Sequence, residues 1–377
     1  MEKTEVNELK KLFDLEKCGI SQVVGCYVNG EKKKVANINE FFKVLPEEEQ
    51  HKYFDIFRKS LSGQLGRNLI DMEFTKEAYD NQRDFLIRLR DSALKDEKLL
   101  DEFYDKIIES YEYIGNYLIL LINQDYDVPT ISTDNIENED ASEEVYRFIL
   151  CAICPVELSK PGLEYIEEQN TFHNGERSYM VGLPETSFLF PAFTDRSEDR
   201  DRILLYTKDT KEFFDNFINC VLNCQIPLPA NKQKDVFQDI LTETLENECN
   251  YELIKNIHEE VNAVIETKKE DPEVSETLTK KEIKNILENS GVNQPKLERF
   301  EESFDTHFNE VEKEAATINV KNIFPAKKVE IKTADVLIKV DADKMDAIQT
   351  QMIDGKRCLV IRVDEELVVD GIPVVGI

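Results

Sequence analysis

A formal charge of −30 spread over 377 residues should hold a chain apart, yet this one is rich in the residues that build cores. Its 77 acidic side chains face 47 basic ones, while 41% of its residues are hydrophobic, with 21 Phe and 13 Tyr among them. Disordered acidic segments lack that apolar content. The acidic excess therefore belongs on the outside of packed cores. Its long-range field disfavours phosphate backbones and anionic membranes. A chain of this length predicts two or three modules rather than one large domain.

The first residues contain no apolar segment of signal-peptide type. The longest apolar runs, at 117–122 and 148–153, are too short to cross a bilayer. A soluble, cytoplasmic protein with no membrane contact is the expectation. Eight cysteines in mostly apolar contexts, at no regular spacing, fit reduced thiols in an intracellular protein.

Residues 2–17 read as a short amphipathic helix with Val6, Leu9, Leu12 and Phe13 on its apolar side. Asn29-Gly30 lies between β-type runs and signals a hairpin. Pro46 and three following Glu open a helix over 46–61. A further helical stretch covers about 75–111, residues 117–122 form a buried strand, and 123–140 is a polar loop. Residues 145–153, 188–193 and 203–206 are strand-like, the second cut by Pro191 so that it lies at an edge or ends early. A helix follows over 209–223. Residues 229–318 are helical and hold 22 acidic against 11 basic side chains. Asp271-Pro272 breaks this segment, and Thr279 with Glu282 has capping-box spacing. The last 59 residues, 319–377, are β-rich and nearly neutral, with Asp354-Gly355 and Asp370-Gly371 turns between alternating apolar runs. The class is α+β: a mixed α/β N-terminal half over 1–228, an acidic helical segment over 229–318 and a small antiparallel β unit over 319–377. Both α/β and α+β layering stay open for the first of these.

Several motifs carry candidate chemistry. Cys151 and Cys154 have dithiol or half-zinc-site spacing, and Cys220 with Cys224 could complete four thiolates. The surrounding run is strand-like, however, and a strand sends residues three apart to opposite faces. Buried structural thiols are the stronger reading. His51, His173, His258 and His307 are scattered and read as surface residues. Gly63, Gly66 and Arg67 in the loop after the 46–61 helix offer an anion nest with a guanidinium, against a plain helix-terminating loop. The segment from Thr194 to Arg202 alternates signs, which usually gives a self-paired loop. Asp195, Arg196 and Arg202 are its candidates for acid–base or anion-binding work. Lys327, Lys328, Lys332 and Lys339 form a small basic cluster able to contact nucleic acid, or else ordinary strand-edge charges. None of these motifs implies a cofactor.

Cys26-Tyr-Val-Asn-Gly-Glu-Lys, Ser60-Leu-Ser-Gly, Leu89-Arg-Asp-Ser, Tyr111-Glu-Tyr-Ile-Gly-Asn-Tyr, Ile149-Leu-Cys-Ala-Ile-Cys-Pro-Val, Phe188-Leu-Phe-Pro-Ala-Phe-Thr-Asp-Arg-Ser and Asn256-Ile-His-Glu carry a resemblance over the whole chain. They are similar to a family of uncharacterised bacterial proteins of clostridial type, known as a domain of unknown function. The resemblance implies a cytoplasmic bacterial protein and supplies no activity or catalytic residue. The order of parts also resembles that of bacterial nucleoid-associated proteins of this size, with no shared motif. The expected function is that of a non-enzymatic binding or regulatory protein acting through protein partners. The alternatives are a nucleic-acid-transaction protein, binding by a local basic face or mimicking nucleic acid with its acidic surface, and an enzyme of unrecognised type.

Overall fold

The run at 117–122 is apolar at every position because successive side chains feed two different cores. The computed structural model describes residues 1–131, 137–138, 144–226, 228–270, 277–308, 317–324, 328–363, 367–369 and 372–374. It contains two compact units, Met1–Pro229 and Ala230–Ile377. The first is built on strands β1 (Gln22–Val28), β2 (Lys34–Phe41), β3 (Leu69–Glu73), β4 (Asn116–Val128), β5 (Glu144–Leu158), β6 (Tyr179–Val181), β7 (Thr186–Phe190) and β8 (Arg202–Thr207). They run in the order β2-β1-β4-β5-β7-β8-β3, with β6 alongside the far end of β5. Every neighbouring pair is antiparallel. With helices and an antiparallel sheet in separate layers, the class is α+β.

Helices cover both faces of the sheet. On one side, α3 (Asp84–Asp91) and α4 (Glu97–Ser110) pack on Ile119, Leu121, Cys151, Ile153, Phe188 and Leu205. On the other, α1 (Lys3–Lys10) and α2 (Glu47–Ser60) pack on Leu118, Leu120, Ile122, Leu150, Ala152 and Cys154. A sheet solvated on one face would show apolar–polar alternation; this one has no polar face to spare. Each fully buried Leu, Ile or Phe contributes about 1.5–3 kcal/mol.

Several elements depart from their sequence-based expectation. The first helix ends at Lys10, and Leu12 and Phe13 reach the core from tighter i−3 turns on Leu9 and Lys10. The stretch at 75–111 breaks at Ala93 and Leu94, both left-handed, before Asp96 caps α4 by accepting the N–H groups of Lys98 and Leu99. Near 209–223 only Asp215–Leu222 is helical, ended by left-handed Asn223. The expected loop after 122 is strand as far as Val128, because β5 pairs with it residue for residue. Two of its polar side chains find partners: Asn123 donates to the Arg90 carbonyl at 2.9 Å, and Arg147 holds Asp125 through two hydrogen bonds of 2.7 Å. Strand β7 does end at Phe190, just before Pro191, but lies inside the sheet rather than at its edge.

The second unit gathers α5 (Ala230–Leu245), α6 (Tyr251–Glu270), α7 (Lys280–Asn289) and α8 (Gln294–Phe308) around Phe237, Ile240, Ile257, Val261, Ile286 and Phe300. Thr279 and Glu282 form the full capping box at the start of α7. Strand β9 (Thr277–Thr279) pairs with β10 (Thr317–Asn319), so the expected boundary at 318 falls inside a strand pair. Next come the hairpins β11 (Lys328–Lys332) with β12 (Leu337–Asp341) and β13 (Ile348–Ile353) with β14 (Lys356–Ile361). Asp354 and Gly355, both at positive φ, make the second turn. Asp271-Pro272 and Asp370-Gly371 lie outside the described residues. Contrary to the surface reading, His258 is buried. It sits beside Ile257 on the core side of α6, with its ring edge-on to Phe324 at 4.9 Å.

Two stability tests follow from this packing. A Cβ on Gly25 would collide with the Ile119 carbonyl oxygen of the neighbouring strand. Gly25→Ala should cost roughly 1–3 kcal/mol, read as a lower denaturant midpoint at unchanged slope. An unchanged midpoint would show that the strands part without penalty. Burial also holds the His258 pKa below its ordinary value. The unfolded chain then binds the proton first, so this contribution is intact above the ordinary histidine pKa and lost as pH falls below it. Thermal melts from about pH 8 to pH 5 should decline less steeply in His258→Leu than in the wild type. Parallel declines would refute the role of this histidine.

Candidate functional site

Strand β5 does not stop where the helical layers stop. Beyond Val156 it leaves the sheet as one side of a two-stranded arm that returns through β6. Val156, Glu157 and Leu158 pair with Val181, Met180 and Tyr179. Ser159 donates its N–H to the Ser178 carbonyl at 2.8 Å, and Gly175 donates to Gly162 at 2.9 Å. The same register continues through Leu163–Asn174 and Tyr165–Phe172 to Ile166–Thr171. A short 3₁₀ turn over Glu167–Gln169 and left-handed Asn170 reverse the chain. Arg177 braces the middle by donating to the Ser159 carbonyl at 2.9 Å.

The pleat places Leu163, Tyr165, Phe172 and Met180 on one face of the arm. The Tyr165 and Phe172 rings lie 5.2 Å apart, and the Tyr165 hydroxyl donates to Asn170 at 2.6 Å. These four side chains are between 49% and 75% exposed. Leu158, Tyr179 and Val181, from the base of the arm, are exposed as well. Around them stand Glu157, Glu164, Glu167, Glu168 and Glu176 against Lys160 and Arg177. The arm is thus an apolar surface with an acidic rim. Clustered exposed apolar side chains of this kind mark interaction sites, whereas scattered ones need no explanation.

Several of the residues that the sequence singled out for chemistry make structural contacts. In the loop with Gly63, Gly66 and Arg67, the Gln64 carbonyl accepts the N–H groups of Arg67, Asn68 and Leu69 at 3.1, 2.9 and 3.1 Å, and Gly66 donates to Leu69 at 2.7 Å. The loop's own oxygen fills the place an anion would take. Asp195 and Arg196, both left-handed, form the tip of a hairpin joining Ala192–Thr194 to Ser197–Asp199. Arg196 binds Glu8 at 2.7 Å and the Pro129 carbonyl at 2.8 Å, while Tyr126 donates to the same Glu8 at 2.6 Å. Arg202 binds Asp71 at 3.0 Å. Buried Arg90 holds Asp91 at 2.7 Å and Glu198 at 2.5 Å. Arg196 thus ties the hairpin to α1, Arg90 ties α3 to the hairpin, and Arg202 joins β8 to β3.

Cys151 and Cys154 lie on opposite faces of β5, in separate cores. Cys220 is exposed, and Cys224 is buried on the Cys151 side. The four sulfurs therefore cannot ligate one ion. Among the described residues no group of His, Cys, Asp and Glu has metal-site geometry. Lys328, Lys332 and Lys339 share a face of the β11–β12 hairpin with Glu330 and Asp341, and Lys339 pairs with Glu330 at 2.7 Å. Lys327 lies outside the described residues. In the second unit, Glu243, Glu246, Arg299, Ser303 and His307 line an open depression. They bond to one another there, Arg299 to Glu246 at 2.5 Å and Ser303 to Glu243 at 3.2 Å.

Sequence reading missed the arm altogether. Its signal is faint: apolar residues on both sides of a Glu-Glu-Gln-Asn turn, with polar residues enough to pass for loop. Burial raises the thiol pKa at Cys151, Cys154 and Cys224, and pushes that of Cys26 up to about 11. Alkylation of the native protein followed by peptide mass spectrometry should label Cys220 and Cys249 and spare Cys151 and Cys154 until unfolding. Native labelling of Cys151 or Cys154 as fast as Cys220 would contradict this placement.

Among the described residues no helix is long and apolar enough to cross a membrane. No curated protein matches the chain. The sequence model of a family described as a domain of unknown function, DUF4317, matches residues 1–372, and the chain belongs to that family.

Proposed function

We propose that this is a non-enzymatic binding or regulatory protein of the cytoplasm that acts through a protein partner, with the arm at 155–182 as its contact surface. The observation that carries this reading is the apolar face of Leu163, Tyr165, Phe172 and Met180, held in one register on a ribbon that extends from a well-packed sheet. A two-stranded ribbon gains little from itself in water, so side chains of this type have more to gain from a partner. Tyr and Phe supply large contact area at small entropic cost. The acidic rim disfavours phosphate backbones and anionic lipid and favours a partner with basic residues at its edge. Support comes also from the arginines of the 194–202 segment and from Arg90, whose charges serve internal ion pairs.

The test is a triple substitution, Leu163→Ser with Tyr165→Ser and Phe172→Ser. These side chains are exposed, so the melting temperature should hold. Affinity capture at low and high salt, followed by reconstitution with the purified partner, should show binding weakened ~10-fold or more by the triple variant. Equal binding by variant and wild type would remove the arm from the account. A shift of duplex DNA at low salt that fades as salt rises would replace the protein-partner reading with the nucleic-acid one.

A further inference from the structure

The two ladder segments of the arm, 156–158 with 179–181 and 163–166 with 171–174, are separated by a stretch that is not ladder. Residues 159–162 and 175–178 form no strand. After the Ser159–Ser178 pair, antiparallel alternation makes Pro161–Glu176 the next pair due to exchange hydrogen bonds. Pro161 has no N–H to give, and no backbone bond crosses between these two residues. Even Ser159–Ser178 is only half a ladder pair. The Ser159 N–H reaches the Ser178 carbonyl at 2.8 Å, but the Ser178 N–H returns to the Ser159 hydroxyl at 3.1 Å. The Ser159 carbonyl, which a ladder would have used, accepts Arg177 Nε at 2.9 Å. Two side chains thus stand in for backbone at this level. Beyond them, a Cβ on Gly175 would lie 3.2 Å from the Gly162 carbonyl oxygen, while one on Gly162 would touch nothing. Every residue of the stretch is exposed or half-exposed, so no core packing makes up for the missing bonds.

We infer that 159–162 with 175–178 is a joint about which the tip of the arm, 163–174, swings as one body on its base, and that Arg177 on Ser159 is the clasp that holds its angle. Hinges are built from a few residues that absorb backbone rotation where nothing else is lost. Turning about Lys160, Glu176 and Arg177 breaks no ladder bond, whereas bending inside either ladder segment would break one. The use of the joint rests on the reading of the arm as a contact surface. Met180 stands on the base and Leu163, Tyr165 and Phe172 on the tip, so the joint sets how the two parts meet a partner. Freezing a swinging tip costs a partner binding energy, and a clasp that narrows the swing lowers that cost. Arg177 is thereby a positioning residue for the apolar face.

Double electron–electron resonance on the full chain reads the joint without a partner. Cys18, Cys220, Cys249 and Cys358, the cysteines that are not buried, are replaced by Ser. Nitroxides at Glu157→Cys with Glu168→Cys span the joint, and at Val145→Cys with Glu157→Cys they span β5 as a rigid control. Both pairs cover roughly 35–40 Å at the rise of a strand. The base-to-tip distances should spread at least ~2-fold more widely than those of the control. Arg177→Ala should widen them a further ~1.5-fold or more, while hydrogen exchange of the 163–174 amides stays unchanged because the tip moves whole. A base-to-tip spread equal to the control overturns the joint. So does a spread that Arg177→Ala leaves unaltered, because that motion belongs to the turn at 167–170. Loss of protection across 163–174 in Arg177→Ala also overturns it, since the tip is then melting rather than swinging. No outcome depends on a partner, so the joint and the contact-surface reading fail separately.

Discussion

The thirteen-residue ladder between β4 and β5 is the constraint on which the first unit depends. Its two strands sit at the centre of the sheet, and their side chains alternate between two helical layers. Once this register is set, a shift of one residue would exchange the contents of both cores. Leu118, Leu120 and Ile122 would then face α3 and α4, while Tyr117, Ile119 and Leu121 faced α1 and α2. The arm inherits its register from the same strand. It differs from the sheet in what covers it, since the helices end and the ribbon goes on.

The charge of the chain acquires a structural meaning from where its cations go. Arg90, Arg196 and Arg202 each take a carboxylate from a segment distant in sequence: Arg90 and Arg196 join α3 and α1 to the 192–199 hairpin, and Arg202 joins β8 to β3. A buried guanidinium such as Arg90 is costly to desolvate and is tolerable only with good partners on both sides. What remains for the exterior is a surplus of carboxylates. That surplus repels other anions broadly, and so gives weight to the few uncharged exposed surfaces. The apolar face of the arm is one such place.

Much of this was legible in local residue order. The helix after Pro46, the capping box at Thr279 and the Asp354-Gly355 turn depend on neighbours a few positions away, and each stands where local chemistry puts it. The opposite facing of Cys151 and Cys154 follows from strand alternation alone. The loop expected after 122 was misread because Asn123, Gln124 and Asp125 look like loop residues. The partners of Asn123 and Asp125, Arg90 and Arg147, are supplied by other segments. His258 was misread for a related reason: Phe324, which covers it, is far away in the chain. The arm left hardly a trace, since exposed apolar residues and buried ones are written with the same letters.

By itself, then, the sequence determined that apolar cores exist under an acidic exterior, that the parts are helical or β in roughly this order, and that the chain belongs with its family. Those properties are set by composition and by contacts of short range. The tertiary structure alone decided which residues remain available. It filled the Gln64 loop with its own carbonyl, paired the arginines, separated the thiols and left the arm uncovered. Availability is what is left after long-range pairing, and long-range pairing is not written in any one stretch of chain.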